Sequence, residues 1–300
     1  MLDHTYADHR RKLTFSASSY AAFRPTYPSA LFGTVLEYHR GAKTQCLDLG
    51  TGHGLVAQKL SPWFTRVIGT DPSPVMIAQA KASIAEPNIT YRQAGAEDLS
   101  FIADRSLDLV VAGQAAHWFD YRRVWPELKR TLRKGGTLAF WGYKDSVFVD
   151  YPRATEVLDH YCFGPGKDLM GMYWEEPGQT ILRNLYRSIV PPDHDFEDVQ
   201  RLEYEPATDG AGALGEVLMH KTMRLGEIEG YARTFTAYHG WAQAHLDMRP
   251  KKDGGGGDIV DEMLEAMLEA ETDWRREGER WRDKEVACEW GSVILLARRT

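Results

Sequence analysis

Cys46-Leu47-Asp48-Leu49-Gly50-Thr51-Gly52-His53-Gly54 decides the fold. Apolar positions around one Asp read as a buried strand, the alternating glycines as a tight turn, and the run from Leu55 to Leu60 as a helix that His53-Gly54 opens. Glycine lacks the Cβ that would hold a ligand away from a sharply turning backbone, so a nucleotide-like cofactor can lie against such a loop. The next apolar run, Arg66-Val67-Ile68-Gly69-Thr70, ends on Asp71. A carboxylate about 20 residues beyond the first glycine is placed to accept both hydroxyls of a ribose. A dinucleotide fingerprint sets its third glycine three residues beyond the second, whereas here positions 50, 52 and 54 alternate. Loop, strand and Asp71 together point to a ribose-bearing cofactor rather than to a bare turn.

Outward from this stretch, short apolar runs alternate with helical ones, the pattern of a parallel sheet with crossover helices. Strands are expected at Gln45–Leu49, Arg66–Thr70, Ile89–Gln93, Leu107–Ala112 and Thr137–Tyr143, and helices at His53–Leu60, Pro74–Ala85 and Trp125–Leu132. Asp71-Pro72-Ser73-Pro74 supplies a turn and an N-cap, and Lys134-Gly135-Gly136 a glycine C-cap before the fifth strand. Beyond Tyr143 the spacing predicts a helix over Thr180–Ile189 and a sixth strand over Phe196–Tyr204 with one slip at Val199. It also predicts a buried final strand over Glu289–Arg298. Residues 205–285 are rich in helix formers, with apolar stripes in Leu214–Leu246 and Ile259–Trp274 and a flexible loop at Gly254–Gly257.

The 300 residues suffice for a sizeable core without disulfides, and 43% hydrophobic with 26% charged residues is ordinary for a soluble globular chain. A net charge of −7 argues against a general nucleic-acid surface, which needs clustered Lys and Arg. The three cysteines, Cys46, Cys162 and Cys288, are scattered, which fits a reducing compartment and offers no metal framework. No run approaches a membrane span and the N-terminus lacks a signal-peptide core, so the expectation is a cytoplasmic protein with no membrane or nucleic-acid partner.

LDLGTGHG resembles the first motif of class I S-adenosylmethionine (SAM) methyltransferases. The resemblance implies an α/β fold: a seven-stranded Rossmann-like sheet whose last strand inserts antiparallel between the fifth and sixth. It implies an N-terminal helical cap (1–40), a SAM-binding core (41–145), helices and the sixth strand (146–204), a helical acceptor-pocket insertion (205–285) and a final core strand (286–300). SAM would be the cofactor, S-adenosylhomocysteine the product, and no metal would be needed. Asp48, Gly50, Thr51 and Gly52 would sit by the amino-acid portion of SAM and Asp71 on its ribose, with Pro72 and Met76 beside them. Ala96 and Glu97, or Asp98 in its place, would meet the adenine, although an acidic loop also serves as a helix cap.

Tyr20-Ala21-Ala22-Phe23-Arg24-Pro25-Thr26-Tyr27-Pro28 is similar to a YxxxRPxYP element that precedes the first strand in many small-molecule methyltransferases. By that likeness Arg24 pairs with the SAM carboxylate and Tyr20 covers the methyl-donor end; a packing helix with a surface Arg is the plainer alternative. Gln114-Ala115-Ala116-His117-Trp118-Phe119-Asp120 resembles the fourth motif of a fungal group that includes trans-aconitate and cantharidin-inactivating methyltransferases. Gln114 would face SAM, Trp118 would wall the acceptor cavity, and His117 is a candidate base or a core histidine. Gly230-Tyr231-Ala232-Arg233-Thr234-Phe235-Thr236-Ala237-Tyr238 is similar to the GYLRTWS-type element of the trans-aconitate group, which implies a roof over the acceptor. Tyr238 would then line the cavity, and Arg233 would contact an anionic acceptor or form an ordinary salt bridge.

The trans-aconitate likeness implies a small-molecule acceptor and carboxyl O-methylation of an organic acid or fungal-type metabolite, held by Arg24, Arg233 or Arg153. Aromatic candidates for the pocket, Trp118, Tyr173, Trp174, Phe235, Tyr238 and Trp241, suit a bulkier apolar metabolite instead. S-methylation of a thiol or dithiol metabolite, O-methylation of a phenol or enol, and a catalytically inactive SAM-binding regulator stay open, as do monomer and homodimer.

Overall fold

The computed structural model describes residues 23–83, 86–207 and 213–300. Helix α1 (Ser29–Tyr38) precedes β1 (Gln45–Leu49), α2 (Leu55–Leu60), β2 (Arg66–Asp71), α3 (Pro74–Ala82), β3 (Ile89–Gln93) and β4 (Leu107–Gly113). Then follow α4 (Tyr121–Thr131), β5 (Leu132–Phe148), α5 (Pro152–Phe163), α6 (Gly178–Arg183) and β6 (Phe196–Tyr204). The last third runs β7 (His220–Arg224), α7 (Leu225–Ala232), α8 (Thr236–Ala244), α9 (Ile259–Ala270), α10 (Thr272–Arg276) and β8 (Glu285–Arg299). The main sheet has the order β3-β2-β1-β4-β5-β8-β6, parallel from β3 to β5, with β8 antiparallel to both its neighbours.

Alternation along each strand builds two apolar layers. Cys46, Leu109, Val111 and Trp141 face α1 and α2, whereas Leu47, Val110, Leu138 and Phe140 face Val124 and Leu128 of α4. A parallel sheet covered on both faces needs near-continuous apolar strands, and β4 is buried along all but its last residue. The order also places the C-terminal ends of β1 and β4 side by side, where open α/β sheets bind ligands.

Several boundaries differ from the sequence reading. Helix α2 starts at Leu55, because Gly54 is its left-handed N-cap (φ +93). Helix α4 starts at Tyr121 rather than Trp125, since the Asp120 side chain accepts from the Arg122 N–H and the helix absorbs Pro126. Gly135 (φ +74) serves no helix C-cap; it lies within β5 where the register against β4 shifts. The helix expected over Thr180–Ile189 stops at Arg183, and Leu185 and Tyr186 turn left-handed into the core. In the helix-rich stretch, His220–Arg224 is a strand that the long first half of β8 captures by pairing, tertiary context overriding composition. The slip at Val199 is a bulge with Asp198 at φ +52.

Candidate active site

The glycine loop after β1 holds its shape through two buried carboxylates. Asp48 Oδ2 accepts from the Thr51 hydroxyl (2.6 Å) and from the Ala57 N–H of α2 (3.1 Å), which ties strand, loop and helix together. Burial, helped by the charge of Asp71, pushes the Asp48 carboxyl up to about 7 against the hydrogen bonds from Thr51 and Ala57. Its Oδ1 is buried with no hydrogen-bond partner among the described residues. Asp71, at the end of β2, accepts from the N–H groups of Gly52 (3.0 Å) and Ser73 (2.8 Å). A carboxylate offers about four acceptor sites, so these two bonds alone do not saturate it.

The three glycines do different work. Gly50 (φ +66) has Ala115 so close that a Cβ would stand 2.4 Å from the alanine methyl. Gly52 (φ +56) lines the cleft, and nothing lies within 4 Å of where its Cβ would be. Leaving that Cβ out keeps the cleft face open to a ligand while the backbone turns left-handed.

This cleft is lined by Gly50 to His53, Asp71 and Met76 on one side, by Gly113, Gln114 and Tyr143 on the floor, and by Arg24 to Tyr27. Gln114 takes a left-handed backbone (φ +55), uncommon for a side-chain-bearing residue, and fastens it with its own amide. Its Nε2 donates to Tyr143 O (2.8 Å) while Tyr143 N–H donates to its Oε1 (2.7 Å), extending the β4–β5 ladder one step past Gly113–Trp141. The Gln114 amide therefore shapes the floor.

A second cavity adjoins the first and shares Arg24, Gln114 and Tyr143 with it. This annex is small, with a cavity volume of about 50 Å³, and it opens to solvent. Leu158, Cys162 and Phe163 of α5, Trp174, Gln179 and Leu182, and Tyr231 and Phe235 around α7 complete its wall. Phe163 stacks on Trp174 (5.5 Å), and Trp174 meets Phe235 (5.4 Å). The Arg24 guanidinium lies over the rings of Tyr231 (5.4 Å) and Phe235 (5.2 Å) and donates to Thr234 O (3.2 Å), at the junction of the two cavities.

Of the residues expected at the site, Arg24, Gly50, Thr51, Gly52, Asp71, Met76 and Gln114 line the cleft. Asp48 supports it from beneath, and Tyr20 lies outside the described residues. Pro72 accepts from Gln93 through its carbonyl, and Ala96 is buried beside Glu97, whose Oε1 accepts from Asp120 N–H at the start of α4. None of these three borders the cleft. His117 is buried with Nδ1 3.2 Å from the Tyr186 hydroxyl, and Trp118 packs flush against Gly178. Neither residue lines the cleft or the annex.

Arg233 and Tyr238 are likewise away from both cavities. The Arg233 guanidinium bonds Asp258, Asp261 (3.3 Å), Glu229 (3.2 Å) and the Tyr238 hydroxyl (2.8 Å), clamping the end of α7 to the start of α9. Burial works against the Asp258 carboxylate, yet hydrogen bonds from Arg233 and Tyr238 hold it below the usual range. Arg153 pairs with Glu271 (3.2 Å), and of the expected aromatic wall only Trp174 and Phe235 border the annex.

Several annex residues escaped the sequence reading, Asp145 among them. Asp145 sits in a β-bulge, where the β5–β8 register slips between Tyr143 and Ser146. Its signal was the polar run Lys144-Asp145-Ser146 breaking an otherwise apolar strand.

A glycine loop at the C-terminal edge of a parallel sheet, with an acidic residue ending the second strand, defines a nucleoside-type cofactor site. The comparisons with known proteins agree. Residues 47–140 match the methyltransferase domain family. Over 241 residues the chain is 31% identical to a probable S-adenosylmethionine-dependent methyltransferase of Saccharomyces cerevisiae, CRG1, covering 76% of this chain and 81% of the yeast protein. It is 26% identical to the methyltransferase AacuQ of Aspergillus aculeatus, covering 94% and 92%. A solved structure, of a proposed type II methyltransferase from Anaeromyxobacter dehalogenans, superposes with a TM-score of 0.67 at 26% identity over 92% of this chain and 98% of that one. The chain belongs to the SAM-dependent methyltransferases, and SAM is its cofactor. The residues present fit that group: Gly52 leaves the cleft face open, Asp71 ends β2 at the cleft, and Asp48 Oδ1 is a buried acceptor at the loop.

Proposed function

We propose that this protein transfers the SAM methyl group to a small organic molecule seated in the annex. What carries the reading is the meeting of the two cavities at Arg24, Gln114 and Tyr143. SAM supplies a methyl carried on a positively charged sulfur, open to in-line attack. The chain's part is to align a nucleophile with that methyl and keep water out, and such positioning supplies much of the rate in displacement chemistry. Asp48, Gly50, Thr51, Gly52, Asp71 and Met76 are the residues that would hold the cofactor, and the aromatic annex would hold the apolar body of the acceptor.

Carboxyl O-methylation draws support from Arg24, the guanidinium at the junction. The two other arginines expected to grip an anion are engaged by carboxylates, which disfavours a tricarboxylate such as trans-aconitate. Phe163, Trp174, Tyr231 and Phe235 favour an acceptor with a flat apolar body, whether its nucleophile is a carboxylate, a thiol or a hydroxyl. S-adenosylhomocysteine release from SAM tests the reading with trans-aconitate, a naphthoic acid, a naphthalenethiol, a naphthol and a no-acceptor control. Turnover of any naphthalene acceptor above the control supports it, and turnover of trans-aconitate alone overturns the apolar-body assignment.

A further inference from the structure

The bulge in β5 brings Tyr143, Lys144, Asp145 and Ser146 all to the annex, which a regularly alternating strand does not do. Lys144, Asp145, Ser146, Leu158 and Phe163 also line a larger outer cleft that shares no lining residue with the cofactor cleft. Cofactor cleft, annex and outer cleft thus form a chain of spaces, with Asp145 at the second neck. Arg183 Nε holds Asp145 Oδ2 (2.7 Å), and the same guanidinium reaches Asp159 (3.0 Å) and covers the Phe163 ring (4.0 Å). Asp145 Oδ1 has no hydrogen-bond partner among the described residues, nor is it one of their fully buried unpartnered atoms. One oxygen is anchored, and the residue lines both the annex and the outer cleft.

We propose that the acceptor enters through the outer cleft and carries a hydroxyl on an aromatic body, and that Asp145 Oδ1 takes its proton as the methyl is transferred. This inference rests on the annex being the acceptor site. In the step, the acceptor's O–H bond breaks and the proton passes to Asp145. An oxygen electron pair forms the new O–CH3 bond, and the electrons of the breaking S–CH3 bond return to sulfur, which leaves as a neutral thioether. A carboxylate nucleophile is already ionised at neutral pH and gains nothing from such a base, while it meets like charge at Asp145. Burial raises the Asp145 carboxyl and Asp159 adds to this, while Arg183 and Lys144 oppose it, so the group stays a usable base.

The test uses the full chain saturated with S-adenosylhomocysteine, with 2-naphthol and 2-naphthoate as probes and binding followed by calorimetry. Wild type is expected to bind 2-naphthol in its neutral form. With SAM it should methylate naphthol faster than naphthoate, at a rate that falls as acid protonates the base. Asp145→Asn should bind naphthol within about threefold of wild type and lose about a hundredfold in kcat, the scale of a general base. Asp145→Glu should recover part of it, and unchanged S-adenosylhomocysteine affinity shows that both variants are folded. Full kcat in Asp145→Asn, faster methylation of naphthoate, or naphthol that binds without being methylated would each overturn the inference. Absence of binding by both naphthalene probes would instead overturn the annex as the acceptor site, and the inference with it.

Discussion

On the cofactor side of Tyr143, the polar groups that shape the site find partners close in sequence or on the adjoining strand. Asp48 holds Thr51 and Ala57, Asp71 holds Gly52 and Ser73, and Gln114 reaches only to Tyr143 of the next strand. On the acceptor side the ties span long separations: Arg24 to Thr234, Arg153 to Glu271, and Arg233 to Asp258. The first region is a local motif set into a sheet, whereas the second exists only once distant helices have docked. Damage to the first should therefore show in cofactor binding, and damage to the second in stability.

The largest expected effect lies on the acceptor side. Arg233→Ala leaves the buried Asp258 and Asp261 without their guanidinium, Glu229 alone keeping a second partner in Arg282 (3.7 Å), and should cost about 3–5 kcal/mol in denaturant unfolding. If Arg233→Ala instead left stability unchanged while altering acceptor preference, the clamp would be an acceptor contact and the contrast would fail.

Next comes a pH effect on the cofactor side. The folded-state pKa of Asp48, raised by burial to about 7, exceeds the ordinary value of about 3.9. Its stabilising contribution is full below that unfolded value and is lost as pH rises through about 7, so the cofactor-free protein should lose roughly 2–4 kcal/mol across that window. Thermal unfolding of Asp48→Asn should lack this part of the pH dependence, and a profile identical to wild type would show that Asp48 folds ionised.

A smaller and sharper contrast separates two glycines. Gly50→Ala drives a methyl into Ala115 in a left-handed position and should cost about 2–3 kcal/mol. Gly52→Ala meets no neighbour, should cost about 1 kcal/mol of folding stability, and should weaken S-adenosylhomocysteine binding through the methyl it places at the cleft. Equal stability losses in unfolding experiments, with equal binding losses by calorimetry, would erase the distinction.

The two regions also differ in how far they could be read from sequence. Strands β1, β2 and β4 are buried between two helical layers, so their apolar runs announce them, and the spacing from Gly50 to Asp71 specifies the cofactor loop. Strand β7 carried no such signal: its residues look helical, and the unpaired edge of β8 is what extends them. Arg233 among aromatics read equally well as an acceptor contact or a salt bridge, because its carboxylate partners Asp258 and Asp261 come from a helix more than twenty residues on. Asp145 was hidden for a related reason, since a bulge is a property of paired strands and not of one strand's composition.

The most direct test of the two-cavity account is methyl transfer from labelled SAM to the matched naphthalene acceptors by Gln179→Trp, whose new ring would fill the annex beside Leu182 and Phe235. S-adenosylhomocysteine affinity should stay within about twofold of wild type, because Gln179 does not border the cofactor cleft, while transfer to every acceptor accepted by wild type should fall at least about tenfold, the loss expected when a single well-placed group blocks alignment. Transfer at the wild-type rate, with the annex filled, would contradict the account.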